Sequence, residues 1–394
     1  MKLITGVVKD YAWGSTDSIP TLLHTEPTGE PQAEYWLGAH LAGPAVVEGD
    51  GTLDSWLADH PEALGASSRD HFGDRLPYLL KILAAEQPLS LQAHPSREQA
   101  EAGFAAENEA GIPLGSHQRT YADDWPKPEM IVALTEMEAL CGFRDPRETA
   151  DLFDRIGPIP GLEQVIGPLT QRSGDAGLAE TFLDVLSLDD GRVHLVNEVV
   201  AAAVNHVGDE GEVGQFARTA VELDAFHPSS PGILAALLMN RIQLQPGEAI
   251  FLPAGNMHAY LRGTGVEIMA NSDNVLRGGL TSKRIDVDAL VQVVDFTAGP
   301  VEVLRAEPES DGLLRFRTPA PEFALWQLDT HADHSVMLPA LGSARILLVV
   351  AGHAAVATVG ETIELVQGKA VFVPAGEQVQ VDGNCSAFLA AAGV

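Results

Sequence analysis

The chain has 394 residues, 45% of them hydrophobic, which is too long for one ordinary core and apolar enough to build two or three. Its 24 Lys and Arg face 55 Asp and Glu, a formal charge of -31, and no basic tract interrupts that acidity, which argues against nucleic acid or an anionic membrane as partner. The opening stretch MKLITGVVKDYAWG reaches Lys9 and Asp10 before the apolar region of a signal peptide can form, and no later run is apolar over about 18 residues, so a cytoplasmic protein is expected. Only Cys141 and Cys385 are present; no thiolate metal cluster can form, and two reduced, buried thiols are expected.

Residues 1 to about 95 carry short runs broken by Gly, Pro and Asp, which predict mainly β structure, and the apolar-rich stretch Leu76 to Leu91 leads into Gln92 and His94. From Arg147 to Arg241 the period changes. Leu152 and Ile156, then Val193, Val196, Val200 and Val204, then Phe216, Ala220 and Leu223 recur at the spacing of amphipathic helices. From Ile242 onward strand-like runs return at Ala249 to Leu252, Ala259 to Leu261, Arg345 to Val350 and Ala370 to Val373, separated by Pro-Gly and Ala-Gly turns. The Pro-rich passage Thr318 to Glu322 reads as a link to a last β domain. The expected architecture is therefore mainly β with an inserted α-helical domain: residues 1–146 and 242–317 in one domain, 147–241 in the helical insertion, and 318–394 in a C-terminal β domain.

An internal repeat supports that division. LQPGEAIFLPAGNMHAY (Leu244 to Tyr260) matches LVQGKAVFVPAGEQVQV (Leu365 to Val381), so that Gly247, Ala249, Phe251, Pro253, Ala254 and Gly255 recur as Gly368, Ala370, Phe372, Pro374, Ala375 and Gly376. Both copies predict a strand, a turn and a second strand. His258 aligns with Val379, and strand sterics give no reason for a histidine in one copy alone; function is expected in the first copy and scaffold in the second.

Gln92 and His94 lie two apart in an extended stretch, which turns both to one face. With Glu129 in WPKPEM and His258 in LPAGNMHAY they offer two imidazoles, a carboxylate and an amide oxygen, a donor set that suits a zinc ion with a position left for water or substrate. A lone histidine among 13 is more often structural, so the surrounding motifs carry the argument. Gly247, Pro253, Gly255 and His258 are spaced as in the second motif of the cupin β-barrels, which the segment resembles. The first cupin motif is altered here, with Gln92 in place of its leading histidine and Glu129 lying 35 positions after His94.

That departure favours one branch. YAWG (Tyr11 to Gly14), EYWLGAH (Glu34 to His40), SLQAHP (Ser90 to Pro95), KPEM (Lys127 to Met130), FLPAGNMHAY and ANSDNVLRGGLTSK (Ala270 to Lys283) follow in the order of the type I mannose-6-phosphate isomerases, which the chain resembles over nearly its whole length. The resemblance implies two cupin-type β-barrel or jelly-roll domains, the second degenerate, around an inserted helical domain. It implies one zinc ion per chain on Gln92, His94, Glu129 and His258, and a pocket formed by Ser90, Lys127, Tyr260, Asp273, Arg277 and Lys283. The implied activity interconverts the phosphosugars D-mannose 6-phosphate and D-fructose 6-phosphate in a protein expected to be a monomer.

Aldose–ketose isomerisation moves a proton between C1 and C2 through an enediol, and needs a proton-transfer group, a means of steadying oxyanion charge and a handle for the phosphate. Arg277 is expected at the oxyanion, because a guanidinium keeps its charge and presents several donors. Lys127, two positions before Glu129, and Asp273 are alternative proton-transfer groups. Lys283 and Ser90 are expected at the phosphate, Tyr260 at the sugar, and Arg284 on the surface. Gly278 and Gly279 are expected to let backbone approach a ligand. The rival readings are an isomerase of the same fold acting on another sugar, and a non-catalytic cupin that binds a metal or sugar; a cupin iron oxygenase is disfavoured by the extra amide ligand.

Overall fold

The structure, a computed structural model, describes residues 1–189, 191–331 and 334–394. Among the described residues it is mainly β, with two antiparallel sheets of 11 strands each and helices around them. Among the described residues no helix is long and apolar enough to cross a membrane.

The sheet that positions the site runs, strand by strand, Leu304–Arg305, Glu248–Leu252, Glu129–Ala133, His258–Ala270, Tyr78–Ala85, Glu34–Leu37 and Val7–Lys9. Its central strand, His258–Ala270, serves two layers. Residues from Gly263 onward pair with Tyr78–Ala85 and Glu129–Ala133, whereas the first residues pair with Leu91–Ala93 and Met137–Phe143. The change of partners falls at Gly263, whose φ is 119°; a Cβ there would lie 2.7 Å from the Glu136 carbonyl oxygen, so a residue without a side chain is required.

Alternation explains how one strand feeds both a core and a site. In the wholly buried strand Tyr78–Ala85, Tyr78, Leu80, Ile82 and Ala84 join the core packed between the two sheets, while Leu83 and Ala85 point the other way. Lys81 shares that second face.

The repeat seen in the sequence is a repeat of structure. The strands Glu248–Leu252 and Ala370–Val373 each turn into a 13-residue strand, His258–Ala270 and Val379–Ala391 respectively. The turn glycines share left-handed geometry, with φ of 86° and 82° at Gly247 and Gly368, and 80° and 77° at Gly255 and Gly376. The strand Lys2–Thr5 crosses to the second sheet and pairs with Ala370–Val373, so the two ends of the chain share a sheet.

Between the strands Met137–Phe143 and Met239–Leu244 the described residues form helices and turns. The first helix, Pro146–Ile156, starts where Asp145 accepts hydrogen bonds from the Arg147 and Glu148 amides and Pro146 gives up no needed donor. In the helix His194–Ala203 the buried stripe is Leu195, Val196, Val199 and Ala203 rather than the expected valine series, and Val204 is exposed. Leu195 and Ala203 complete the apolar face, a choice that valine spacing alone does not reveal. The first 95 residues also hold more helix than expected: Ser18–Leu23, Leu53–Asp59 and Ala66–Phe72 are short helices whose length gives the 3.6-residue period little room to show.

Candidate active site

The strand Leu91–Ala93 places Gln92 opposite His258 on one side and opposite Arg277 on the other, and Cys141 lies across the sheet on the far side of His258. Directly opposed residues project to the same face, so Arg277, Gln92, His258 and Cys141 form one row. His94 follows the strand and is tied to the neighbouring turn by the Gly255 amide, which donates to the His94 carbonyl at 2.8 Å.

His94, Glu129 and His258 converge at the buried end of this row. Glu129 Oε2 lies 3.2 Å from His94 Nε2 and 3.3 Å from His258 Nε2. Each imidazole turns its other nitrogen to a carbonyl, His94 Nδ1 to Asn274 at 2.7 Å and His258 Nδ1 to Asn256 at 3.0 Å. Those bonds place the proton on Nδ1 and leave Nε2 with a lone pair. His94 Nε2, His258 Nε2 and Glu129 Oε2 are all buried without a hydrogen-bond partner. Orphaned polar atoms at this depth are costly, and three of them facing a common point fit a divalent ion. Burial drives the His94 pKa down to about 4 despite Glu129, so the ring is neutral and ready to ligate. Burial would raise the Glu129 pKa, but His94 and Lys127 outweigh it and hold the carboxyl well below its usual range.

A cavity of about 1040 Å³ opens in front of this group. Ser90, Gln92, Lys127, Glu129, Tyr260, Asp273, Arg277 and Lys283 all line it, with His94 and His258 buried behind. Lys127 Nζ is 3.2 Å from Glu129 Oε1. Asp273 Oδ1 is 3.3 Å from His40 Nε2, and that contact, ahead of a smaller opposing effect of burial, lowers the Asp273 pKa. Among the described residues no carboxylate pairs with Arg277 or Lys283. The Lys283 pKa is lowered first by the charge of Arg277 and then by burial, as expected for two cations facing one solvent-filled space. Arg284 points away, donating to the Gln118 carbonyl and pairing with Asp286. Tyr260 lines the cavity, but its hydroxyl donates to Glu267 Oε1 at 3.0 Å, and burial followed by Glu267 raises its pKa well above the usual value.

Lys81, Glu34 and Glu267 are charged residues of the cavity wall that were not expected from the sequence. Lys81 Nζ lies 3.0 Å from Glu267 and 3.5 Å from Glu34, and all three side chains are buried. Burial alone would lower the Lys81 pKa; Glu267 and Glu34 overcome it and hold the ammonium charged. The available signal was a single Lys inside the apolar run YLLKILAA, an anomaly that points to a polar cavity on one face of the strand. Gly278 and Gly279 were expected to let backbone approach a ligand, but neither lines the cavity. A Cβ on Gly278 would meet the Met257 side chain at 3.0 Å and one on Gly279 the Gly232 Cα at 2.7 Å, so their smallness lets the helix Gly232–Leu237 and its surroundings pack against the site strand.

The chain is similar over its length to the mannose-6-phosphate isomerase of Escherichia coli strain K12, with 36% identity over 392 residues, 98% of this chain and 97% of that one. It belongs to the mannose-6-phosphate isomerase family. Residues 1–146 match the model of the phosphomannose isomerase type I catalytic domain. A mutant of phosphomannose isomerase from Salmonella typhimurium superposes with a TM-score of 0.91 at 32% identity, covering 100% of each chain. A zinc-bound mannose 6-phosphate isomerase superposes with a TM-score of 0.89 at 31% identity, covering 100% of this chain and 99% of that one. Family membership makes the protein an isomerase, and the group His94, Glu129 and His258 is where this member can hold a metal ion.

Proposed function

We propose that the protein interconverts D-mannose 6-phosphate and D-fructose 6-phosphate through an enediol, depends on one zinc ion held by His94, Glu129, His258 and Gln92, and takes the open-chain sugar in the 1040 Å³ cavity. The observation that carries this reading is the set of three buried, unpartnered ligand atoms at the floor of a cavity whose wall also carries Arg277 and Lys283, two cations that no carboxylate pairs with among the described residues. Zinc bound there would act as a Lewis acid beside the sugar oxygens.

The chain's own groups supply the rest. Lys283 and Ser90 hold the phosphate, for which a local positive site is needed in a chain of net charge -31. Arg277, level with Gln92 in the sheet, stabilises negative charge developing on the sugar oxygen nearer the ligands. Asp273, kept ionised by His40, is placed to accept the proton from carbon, and Lys127, against Glu129, to exchange a proton with the neighbouring oxygen. Tyr260 orients the sugar from the wall, its hydroxyl anchored on Glu267. In this reading residues 1–146 and 242–317 make the catalytic cupin domain, 147–241 the helical insertion and 318–394 the degenerate cupin domain, with Lys2–Thr5 lent to the sheet of the last.

The test is a coupled assay for fructose 6-phosphate formed from mannose 6-phosphate, run before chelation, after it, and after zinc is restored. Activity that disappears and returns is expected. Bound zinc without turnover on either phosphosugar would overturn the assignment of substrate.

A further inference from the structure

Two loops that contain no proposed metal ligand are fastened to each other beside the site. One, Ala122 to Trp125, leads into Lys127 and Glu129; the other, Ser272 to Asn274, joins the strands His258–Ala270 and Leu276–Gly279. Asn274 has no solvent exposure, and its carboxamide is directed wholly at the first loop. Oδ1 accepts from the amides of Ala122 at 2.8 Å and Asp123 at 3.3 Å, while Nδ2 donates to the carbonyls of Asp123 and Trp125, both at 2.8 Å. Asp123 reciprocates. Its Oδ2 accepts from the Asp273 amide at 2.8 Å, and its Oδ1 from Ser272 Oγ at 2.8 Å and the Trp125 amide at 3.0 Å.

The two imidazoles differ in what holds them. His258 donates to the carbonyl of Asn256, two residues away on its own turn, whereas His94 donates to the carbonyl of Asn274, 180 positions distant in sequence. The orientation of His94 therefore depends on whatever fixes Asn274. A merely space-filling residue at that position has no use for a carboxamide, because a buried amide is tolerated only when its directional bonds are made.

We infer that Asn274 and Asp123 form a reciprocal clasp that positions His94 for metal binding and Asp273 for proton transfer, an inference that rests on the reading of His94 as a ligand. Both are positioning residues, since neither is needed at the reacting atoms.

Asp123→Asn is the decisive variant, because the position is only half-buried and the change is isosteric, yet it sets an NH2 against one of the donors that Asp123 now accepts. Zinc transfer to a chromophoric chelator is expected to run about 10- to 100-fold faster than from wild type. The same variant is expected to lower kcat while KM stays within about twofold, the mark of a lost transition-state arrangement rather than lost binding. Asp124→Asn, on the exposed neighbour, should release zinc at the wild-type rate. Asn274→Asp breaks the same clasp, so in a double variant its effect should not add to that of Asp123→Asn. Wild-type zinc release from Asp123→Asn would overturn the inference. So would fast release accompanied by a raised KM and a broadened melt of the zinc-free protein, which is general loosening. Failure of the wild-type protein to bind zinc is a different result, overturning the reading of the site and the inference with it.

Discussion

Lys283 is exposed at the cavity rim and faces Arg277 across space that no carboxylate occupies among the described residues. Removing its charge should therefore weaken phosphate binding more than it slows chemistry. Lys283→Ala is expected to raise KM for mannose 6-phosphate about 10- to 100-fold with kcat little changed, the worth of one charge-assisted hydrogen bond. The pH dependence follows from the sign of the shift. A lysine whose pKa is lowered by a neighbouring cation loses its proton sooner as pH rises, so kcat/KM, which reports the free enzyme, should fall on the alkaline side below the ordinary lysine range. Lys283→Arg should move that fall to higher pH, and an unmoved alkaline limb would detach it from Lys283. His94 gives a second test on the acid side, in zinc-free protein. Its pKa is depressed from 6.5 to about 4 by burial, so the unfolded chain binds the proton first. Stability should decline as pH falls through that window, and His94→Gln should flatten the decline in denaturant titrations.

At the scale of elements, the two strand–turn–strand units allow a matched comparison. Gly255 and Gly376 have nearly the same left-handed φ, 80° and 77°, but a Cβ on Gly255 would sit 2.9 Å from the Val293 carbonyl oxygen, whereas one on Gly376 would meet nothing within 4 Å. Gly376→Ala should cost about 1–2 kcal/mol of stability in denaturant unfolding, the conformational penalty alone. Gly255→Ala should cost more and weaken zinc binding as well, because the Gly255 amide holds the His94 carbonyl. This repeat was legible in the sequence because left-handed turns demand glycine and the strands after them demand apolar residues. Its third strand was not. Glu129 pairs with Leu252 and Met269, and Arg345 pairs with Val373 and Ala391, so opposite the strand before the turn Arg345 stands in the second unit where Glu129, the candidate carboxylate ligand, stands in the first. Its buried guanidinium donates to the carbonyls of Pro339, Pro374 and Glu377 instead. Sequence matching misses this because a carboxylate and a guanidinium in unlike surroundings share no pattern. Lys81, Glu34 and Glu267 were hidden for a related reason: each lies in an apolar strand, and only the pairing of those strands brings the charges together. The candidate ligands His94, Glu129 and His258 could be named because short motifs flank them, while the carbonyl that orients His94 is fixed by a contact 180 residues away.

The two sheets are joined by a core that they share. Tyr35, Leu37, Tyr78, Leu80, Ile82, Met130, Val132 and Val266 come to it from the site sheet, and Ile346, Leu348, Phe372 and Phe388 from the other. The Tyr78 hydroxyl reaches the carbonyls of Ala344 and Ala390, each at 3.2 Å, and Lys2–Thr5 carries the N-terminal end into the second sheet. Neither sheet can bury its inner face without its partner, so the metal site should be lost in the same transition that unfolds the C-terminal strands. Phe388→Ala tests this at a residue on the sheet that contributes no zinc ligand. Truncating a buried phenylalanine should cost about 3–5 kcal/mol, read as a lower denaturant midpoint. If the core couples the sheets, the midpoint for zinc release shifts by the same denaturant concentration as the midpoint for loss of β-structure by circular dichroism. Two midpoints that separate in the variant, with zinc retained after the C-terminal strands have melted, would show that the first sheet stands alone and that the shared core joins the units without making them cooperative.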